Sequence, residues 1–447
     1  MLRALVRYFA TGPDRPAERQ DPALVAREYQ RRRWSVFLSA AFGYGIFYLC
    51  RVNLSVVTQP MVDGGVLSPT EIGFIGSAML VVYAVSKLGV GFLADRSNIR
   101  RLMSTGLLVS ALINLVLGST RGFVIFAAGW ALNGLAQATG SAPSVVAISH
   151  WFSPRERGTR YGIWSVSHSI GEGLTFAATA WLVATAGWRW GFWGPGLVAL
   201  GVALILFRTL ADRPQTYGLP PVTEYRNDRP AEPGPSDVSA RQREVLRTPA
   251  IWVLGLASAT LYVARYGMDH WGVFFLQKAK GYSLKQAGGL MGTFPLLGLA
   301  GAASAGWLSD RLFGSRRNEL ALFLGLLEVA ALSVLYAIPP GHGWADGAAL
   351  GVFGFALGGL LVFVGGLMAV DIASQQAAGA AMGLVGAFSY AGAAIQNGVT
   401  GYLVDLGKRT TGDLTEYHFD QVFTFWIGTS VLSLLLVASL WRRKRTR

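Results

Sequence analysis

The chain alternates between long apolar stretches and short charged segments. Twelve of the apolar stretches are long enough to cross a bilayer, whose hydrocarbon core takes about 20 residues of α-helix. They cover residues 34–58, 72–94, 102–119, 123–148, 161–185, 190–210, 250–277, 284–308, 320–337, 347–370, 378–404 and 422–441. The pattern therefore predicts an all-α membrane protein with twelve transmembrane helices.

A polar segment, residues 211–249, divides these stretches into two sets of six. It is rich in Pro, Asp, Glu and Arg, and such a composition buries too little apolar surface to form a core. The predicted organisation is a cytoplasmic tail (1–33), a six-helix half (34–210), a cytoplasmic linker (211–249), a second six-helix half (250–441) and a cytoplasmic tail (442–447).

Basic residues concentrate on one side of the predicted helices. The clusters are 31–33, Arg96 with Arg100 and Arg101, Arg155 with Arg157 and Arg160, Arg311 with Arg316 and Arg317, and 442–445. Because cytoplasmic loops carry an excess of Lys and Arg, both termini are predicted to be cytoplasmic. The first 30 residues contain no apolar segment typical of a cleavable signal peptide. We expect a multi-pass protein of the cell inner (plasma) membrane.

Composition narrows the class of protein. Hydrophobic residues make up 52 % of the chain and charged residues only 14 %, too few for the surface of a soluble protein of this size. The net charge of +14 lies in the short runs between spans, so it indicates membrane orientation rather than nucleic-acid binding. The sequence contains no nucleotide-binding glycine loop, metal-ligand cluster or Ser/His/Asp arrangement, and predicts no enzyme, cofactor or metal site.

The two halves repeat one another. Asp95 and Arg96, four and five residues after a glycine, recur as Asp310 and Arg311 at an offset of 215, and Arg51 recurs as Arg265 at an offset of 214. Parallel six-helix repeats place a transport site at the bilayer midplane between the halves. The repeated Asp-Arg loops are predicted to latch the cytoplasmic ends of the helices in one conformation.

Ionisable side chains within spans are costly and by default functional. The first half offers Arg51, Lys87, and His168 with Glu172, and the second offers Arg265, Asp269 and Asp371. Helical spacing places Tyr44, Tyr48 and Arg51 on one face, and likewise Tyr262, Arg265 and Asp269.

Each half thus provides one intramembrane arginine beside tyrosines, including Tyr266. A guanidinium group presents a planar fork of donors that matches carboxylate or phosphate. We expect Arg51 and Arg265 to hold one dianion between the halves, with Lys87 and the tyrosine hydroxyls on its remaining oxygens. The alternatives are local ion pairs, above all Arg265 with Asp269, and a structural role for Lys87.

Three residues near this site keep open roles. His168 is either a ligand contact or a packed polar residue, and Glu172 is its partner, a proton carrier or a structural acid. Asp269 could likewise serve proton or charge coupling. Cys50, the one cysteine, adjoins Arg51 and is expected to be reachable from the cavity by thiol reagents. It excludes an intramolecular disulfide.

Several short motifs, spread along nearly the whole chain, point to one protein family. They include Tyr48-x-x-Arg51-x-Asn53, Ser86-Lys87, Trp164-Ser165-x-x-His168, Arg265-Tyr266-Gly267 and the run Asp212-Arg213-Pro214-Gln215-x-x-Gly218-Leu219-Pro220. With them the chain resembles the organophosphate:phosphate antiporters of the major facilitator superfamily, which include glycerol-3-phosphate and hexose-phosphate transporters and a related sugar-phosphate sensor. The resemblance implies exchange of a phosphorylated metabolite for inorganic phosphate. In this resemblance Arg51 and Arg265 match the family's phosphate-binding arginines, Lys87 matches its helix-two lysine and His168 its helix-five histidine.

The chain departs from that family pattern at four places. Pro295 stands where relatives have an acid, Leu361-Val362 replaces a Pro-Gln pair, Glu172 interrupts three glycines, and the region around Ala394 is neutral. The organic part of the substrate therefore stays open. The alternatives to an antiporter are a membrane sugar-phosphate sensor and a proton-coupled organic-anion symporter. A monomer is expected, because one chain contains both halves of the pathway.

Overall fold

The structure is a computed structural model that describes residues 7–15, 21–94, 97–227, 245–312, 317–372, 378–411 and 414–440. Within these ranges a helix coincides with each of the twelve predicted apolar stretches. Eight helices among the described residues have both the length and the apolar composition that a membrane span requires. The predicted all-helical membrane architecture is confirmed.

The first half contains helices α1 to α6. They are α1 Pro22–Asp63, α2 Pro69–Ala94, α3 Ile99–Gly118, α4 Phe123–Trp151, α5 Pro154–Leu174 and α6 Trp190–Thr209. Helix α5 continues through a π-helical turn, Thr175–Thr179, into Ala180–Ala186. Helix α1 is longer than its apolar stretch, since Asp21 accepts a hydrogen bond from the Ala23 amide and starts the helix before the predicted span.

The second half contains helices α7 to α12. They are α7 Pro249–Lys278, α8 Leu284–Leu312, α9 Arg317–Ala337, α10 Gly343–Val362, α11 Ala378–Leu406 and α12 Asp420–Ser439. Helix α10 continues through the π-helical turn Phe363–Leu367 into Met368–Ile372. Between α11 and α12, strands β1 (Lys408–Thr411) and β2 (Leu414–Tyr417) form an antiparallel hairpin that the apolar pattern did not predict.

In the described part of the chain the main contacts between the halves are made by α1 with α7, α2 with α11, and α5 with α8. Small residues allow close backbone approach at these contacts. A Cβ on Gly73 of α2 would lie 2.5 Å from Asn397 O of α11, so only glycine fits there. The pairing brings the charged faces of α1 and α7 opposite one another.

The first part of the predicted linker packs against the first half. Asp212 is 2 % exposed, and its carboxylate accepts hydrogen bonds from the Ile99 and Gly12 amides. Tyr225 stacks on Tyr29 of α1 with ring centroids 4.0 Å apart. Leu219 and Val222 are buried. Residues 211–227 therefore brace the helix ends, whereas residues 228–244 lie outside the described ranges.

Candidate functional site

Arg51 and Arg265 both approach one tyrosine, Tyr266. Arg51 of α1 is 6 % exposed, and its Nη2 donates a hydrogen bond to the Tyr266 hydroxyl of α7 over 3.1 Å. The Arg265 guanidinium carbon lies 5.5 Å from the centroid of the same ring. The structure therefore brings together the two arginines that the sequence placed in separate halves.

The predicted helical face on α1 forms as expected. The rings of Tyr44 and Tyr48 have centroids 5.6 Å apart, and the Arg51 guanidinium carbon lies 5.3 Å from the Tyr48 centroid. Trp164 of α5 stacks on Tyr44 at 4.7 Å. These contacts hold the tyrosines beside Arg51 with little rotamer freedom.

The face on α7 combines an aromatic pair with an ion pair. The Arg265 guanidinium carbon lies 5.5 Å from the Tyr262 centroid, and the Tyr262 and Tyr266 rings stack at 5.7 Å. Arg265 Nε is 3.8 Å from Asp269 Oδ2, which is beyond hydrogen-bond length. The local pair that the sequence left as an alternative is present but long, so Arg265 keeps donors for another anion.

Lys87 of α2 reaches across to the second half. Its Nζ lies 3.4 Å from the Tyr390 hydroxyl of α11 and 5.7 Å from the Tyr83 ring centroid. The Tyr83 ring centroid in turn lies 4.3 Å from the Arg51 guanidinium carbon. Lys87 therefore belongs to the same cluster of cations and tyrosines rather than to a membrane surface.

His168 borders the cluster from α5. Its ring centroid lies 5.6 Å from that of Tyr48. Nδ1 donates to the Ser165 carbonyl oxygen, and Nε2 lies 3.3 Å from the Ser169 hydroxyl oxygen. These two contacts fix the orientation of the His168 ring beside Tyr48.

Glu172 and Asp269 are buried acids on two of the helices that carry the cluster. Glu172 of α5 is 3 % exposed and Asp269 of α7 is 5 % exposed. Asp269 Oδ2 lies 3.8 Å from Arg265 Nε, whereas its Oδ1 has no hydrogen-bond partner among the described residues. Glu172 lies one helical turn after His168.

The side of the cluster away from the predicted cytoplasmic loops is closed. Lys278 Nζ lies 2.6 Å from Asp63 Oδ1, Gln277 Nε2 donates to Gln59 Oε1 over 2.9 Å, and the Thr70 amide donates to Asp405 Oδ2 over 3.0 Å. Each contact joins the two halves. The cavity between them and Arg51 has a volume of about 10 Å³, which is space for about one water molecule. A phosphate could not reach Arg51 from this side without parting these residues.

Sequence reasoning missed three polar residues of the site. Tyr390 contacts Lys87 and Tyr83, and His270 Nδ1 lies 2.8 Å from Asn397 Oδ1 of α11 behind Tyr266. Tyr390 carries no charge and belongs to none of the motifs named above, so the sequence did not mark it.

Other predicted residues are not brought into the cluster. Asp95 and Arg96 lie outside the described residues, and so do the side chains of Asp310 and Asp371. Arg311 is exposed at the end of α8. The conformational latch formed by the two Asp-Arg loops therefore stays a prediction. Cys50 does not face the cavity as expected, since it is fully buried and its thiol donates to the Pro195 carbonyl oxygen of α6 at 3.6 Å.

The donor set suits an anion better than a metal. Among the described residues no group of three or more His, Cys, Asp or Glu side chains is placed to hold a metal ion. The site instead gathers three cationic groups, those of Arg51, Arg265 and Lys87, from two helices of one half and one helix of the other. Guanidinium and ammonium groups only donate hydrogen bonds, and a tyrosine hydroxyl can donate one. This set of donors matches the acceptor oxygens of a phosphate.

The chain is similar to known transport proteins along nearly its whole length. The profile of the Major Facilitator Superfamily matches residues 36–397. The chain is 32 % identical to the glycerol-3-phosphate transporter of Bacillus subtilis, covering 95 % of this chain and 96 % of that protein. It is 31 % identical to a probable hexose phosphate transport protein of Chlamydia pneumoniae, covering 98 % of each.

Two further similarities concern function class and fold. The chain is 32 % identical to the membrane sensor protein UhpC of Salmonella typhimurium over 92 % of each protein. Its structure matches that of a bacterial homologue of the human lysosomal transporter Spinster, in an inward-facing, unoccupied conformation, with a TM-score of 0.73. That match covers 91 % of this chain and 96 % of the other at 18 % identity, so it concerns the fold.

Proposed function

The chain belongs to the organophosphate transporter family of the Major Facilitator Superfamily, and on that premise we propose that it exchanges a small organophosphate for inorganic phosphate by alternating access. It is a multi-pass membrane protein of a transporter family and not an enzyme. Its proposed substrates are glycerol phosphate or a sugar phosphate, because similar proteins carry glycerol 3-phosphate and hexose phosphate.

The observation that carries the proposal is that both arginines approach Tyr266. Arg51 donates to the Tyr266 hydroxyl at 3.1 Å while Arg265 lies against the same ring. A neutral hydroxyl is a weaker partner for guanidinium than an anionic oxygen. A phosphate that enters from the cytoplasmic side would take over this bond and bind both arginines at once, which draws the halves together.

The charge of the site explains why exchange is favoured over uptake without a counter-substrate. Closing the halves over Arg51, Arg265 and Lys87 without an anion would leave cations in a medium of low dielectric constant, at a cost of several kcal/mol for each unpaired ion. A bound dianion offsets most of that cost. The carrier therefore changes its access mainly when organophosphate or phosphate occupies it.

The proposed cycle uses the contacts that close the opposite side. Asp63–Lys278, Gln59–Gln277 and Thr70–Asp405 must part when the site opens there. These are one partly exposed ion pair and two polar contacts, each worth about 1 kcal/mol. The binding energy of an anion held by two guanidinium groups is large enough to drive the separation of these three contacts. We place both termini in the cytoplasm of the cell inner membrane, and propose that a monomer suffices.

Competition in proteoliposomes tests the substrate class. Vesicles with purified protein are loaded with unlabelled phosphate, labelled phosphate is added outside, and glycerol phosphate, sugar phosphates and simple carboxylates are added as competitors. Inhibition by one class of phosphate ester supports the proposal. Saturable phosphate binding without exchange would instead favour a sensor, the class to which the similar UhpC belongs.

A further inference from the structure

A network of buried polar side chains lies behind Arg51 in the first half. Ser110 belongs to α3, and Asn133 and Gln137 lie one turn apart on α4. Ser110 and Asn133 are fully buried and Gln137 is 3 % exposed. Burying an amide or a hydroxyl group costs free energy unless the group is hydrogen-bonded. The partners of these three side chains therefore indicate their role.

Both amides of α4 are bonded to the backbone of α1 beside Arg51. Asn133 Nδ2 donates to the Cys50 carbonyl oxygen over 2.7 Å, and Gln137 Nε2 donates to the Phe47 carbonyl oxygen over 3.0 Å. In an α-helix the carbonyl oxygen of residue 47 also accepts the amide of residue 51, and its two lone pairs allow both bonds. Gln137 is therefore bonded to the same oxygen as the Arg51 amide.

Ser110 fixes the direction in which the two amides point. Its hydroxyl donates to Asn133 Oδ1 over 2.6 Å, and Gln137 Nε2 donates to Ser110 Oγ over 3.0 Å. Turning either amide over would set its oxygen against a backbone carbonyl oxygen of α1, which places two acceptors in contact. The nitrogen atoms of both amides are therefore directed at α1.

These bonds determine the position of α1 more closely than apolar packing does. The hydrophobic effect has no direction, whereas a hydrogen bond weakens steeply as its geometry departs from the ideal. Sliding or rotating α1 against α4 would leave the amides of Asn133 and Gln137 buried without partners, which is unfavourable. The network thus holds Arg51 where its Nη2 reaches the Tyr266 hydroxyl over 3.1 Å.

We propose that Asn133 and Gln137 are positioning residues for anion binding, which rests on the proposed function above. They act on the substrate through Arg51, because their amide nitrogens are bonded to α1 and to Ser110. Binding that depends on the placement of a guanidinium group weakens when the hydrogen bonds that support this placement are removed. A purely structural role would lower the stability of the protein and leave the affinity of the folded protein unchanged.

Thermal unfolding of the full chain in nanodiscs, at increasing concentrations of inorganic phosphate, separates the two roles. The Tm without phosphate reports stability, and the rise of Tm with phosphate concentration gives the Kd. Asn133→Leu and Gln137→Met replace each amide by an apolar side chain of similar size. We expect each substitution to raise the Kd for phosphate about tenfold, which is part of the affinity that a charged hydrogen bond provides.

The two arginine variants identify the group through which the amides act. In Arg265→Lys protein, Gln137→Met should raise the Kd about tenfold further, because Arg51 is still present to be misplaced. In Arg51→Lys protein it should change the Kd by less than about threefold, since the guanidinium group is already absent. Ser144→Ala is the matched control and should keep the wild-type Kd. Ser144 is a fully buried residue of α4 whose hydroxyl donates to the Gly140 carbonyl oxygen of its own helix over 2.7 Å.

A lower Tm with an unchanged Kd in both amide variants would overturn the positioning role, and so would a tenfold loss that persists in Arg51→Lys protein. Ser110→Ala decides the question if neither amide variant folds. It removes the hydroxyl that orients the amides and should raise the Kd about threefold, so a wild-type Kd would overturn the proposal. Failure of folded wild-type protein to bind phosphate would overturn the proposed function, and the positioning role with it.

Discussion

Arg51 and Tyr266 lie on α1 and α7, one in each half of the protein, and a 3.1 Å hydrogen bond from Nη2 to the hydroxyl oxygen joins them. The bond places the Arg51 guanidinium group at the hydroxyl of a ring whose centroid lies 5.5 Å from the Arg265 guanidinium carbon. Anything that replaces Tyr266 as the partner of Arg51 therefore acts on both halves. This relationship leads to the predictions below.

Replacing either arginine by lysine should weaken phosphate binding by about 100-fold, because an ammonium group cannot reproduce the two-pronged guanidinium contact and charged hydrogen bonds are worth about 1.5–3 kcal/mol. The measurement is phosphate affinity of Arg51→Lys and Arg265→Lys protein. Arg121→Lys, at an exposed position between α3 and α4, is the control. Wild-type affinity in either site variant would remove the two-arginine site.

Tyr266→Phe should destabilise the anion-free protein more than the phosphate-bound protein. The variant keeps the ring but leaves Arg51 without its hydroxyl partner, a loss of about 1–3 kcal/mol for a buried group. Thermal unfolding should show a lower Tm without phosphate and a larger rise in Tm on adding it. Tyr402→Phe, on the exposed face of α11, serves as control. An equal Tm rise in Tyr266→Phe and wild type would contradict this role of the hydroxyl.

A covalent bridge across the closed side should stop exchange. Gln59 and Gln277 are in contact between the halves through the ends of their side chains, so a short bis-methanethiosulfonate cross-linker, whose spacer replaces the length of those side chains, is expected to join the thiols of a Gln59→Cys/Gln277→Cys protein made with Cys50→Ala. Exchange should be lost on cross-linking and return on reduction, while each single-cysteine variant stays active. Full exchange by cross-linked protein would mean that this side does not open during transport.

Thiol reagents should leave the wild-type protein active. Cys50 is fully buried, and its thiol faces the Pro195 carbonyl oxygen of α6 rather than the cluster around Arg51. Treatment with a membrane-permeant maleimide, followed by mass measurement and exchange assay, should show an unmodified and active protein. Modification that phosphate prevents would show that the thiol reaches the cavity.

The sequence was sufficient to predict the helices and to single out the charged residues of the candidate site. Intramembrane Arg51, Lys87 and Arg265 are conspicuous because charge in a span is costly, and helical periodicity placed Tyr44 and Tyr48 beside Arg51. Tyr390 carries no charge and is common at such positions, so it gave no comparable signal. Periodicity also assigns a face and not a partner, so it could not show that Arg51 donates to Tyr266 of the other half.

Two other differences come from tertiary packing. The polar composition of residues 211–227 predicted a solvated linker, yet Asp212 binds backbone amides of the first half and buries the segment around it. Cys50 precedes Arg51 in sequence, but adjacent residues on a helix point about 100° apart. Sequence adjacency therefore does not place the thiol in the same cavity.

The most direct test of the two-arginine exchange site is the entry of labelled phosphate into proteoliposomes, with and without unlabelled phosphate inside. The account predicts saturable entry into phosphate-loaded vesicles, at least about tenfold slower entry into empty ones because the unoccupied site resists closure, and no entry with Arg51→Lys protein. Equal entry into loaded and empty vesicles, or full exchange by Arg51→Lys protein, would contradict it.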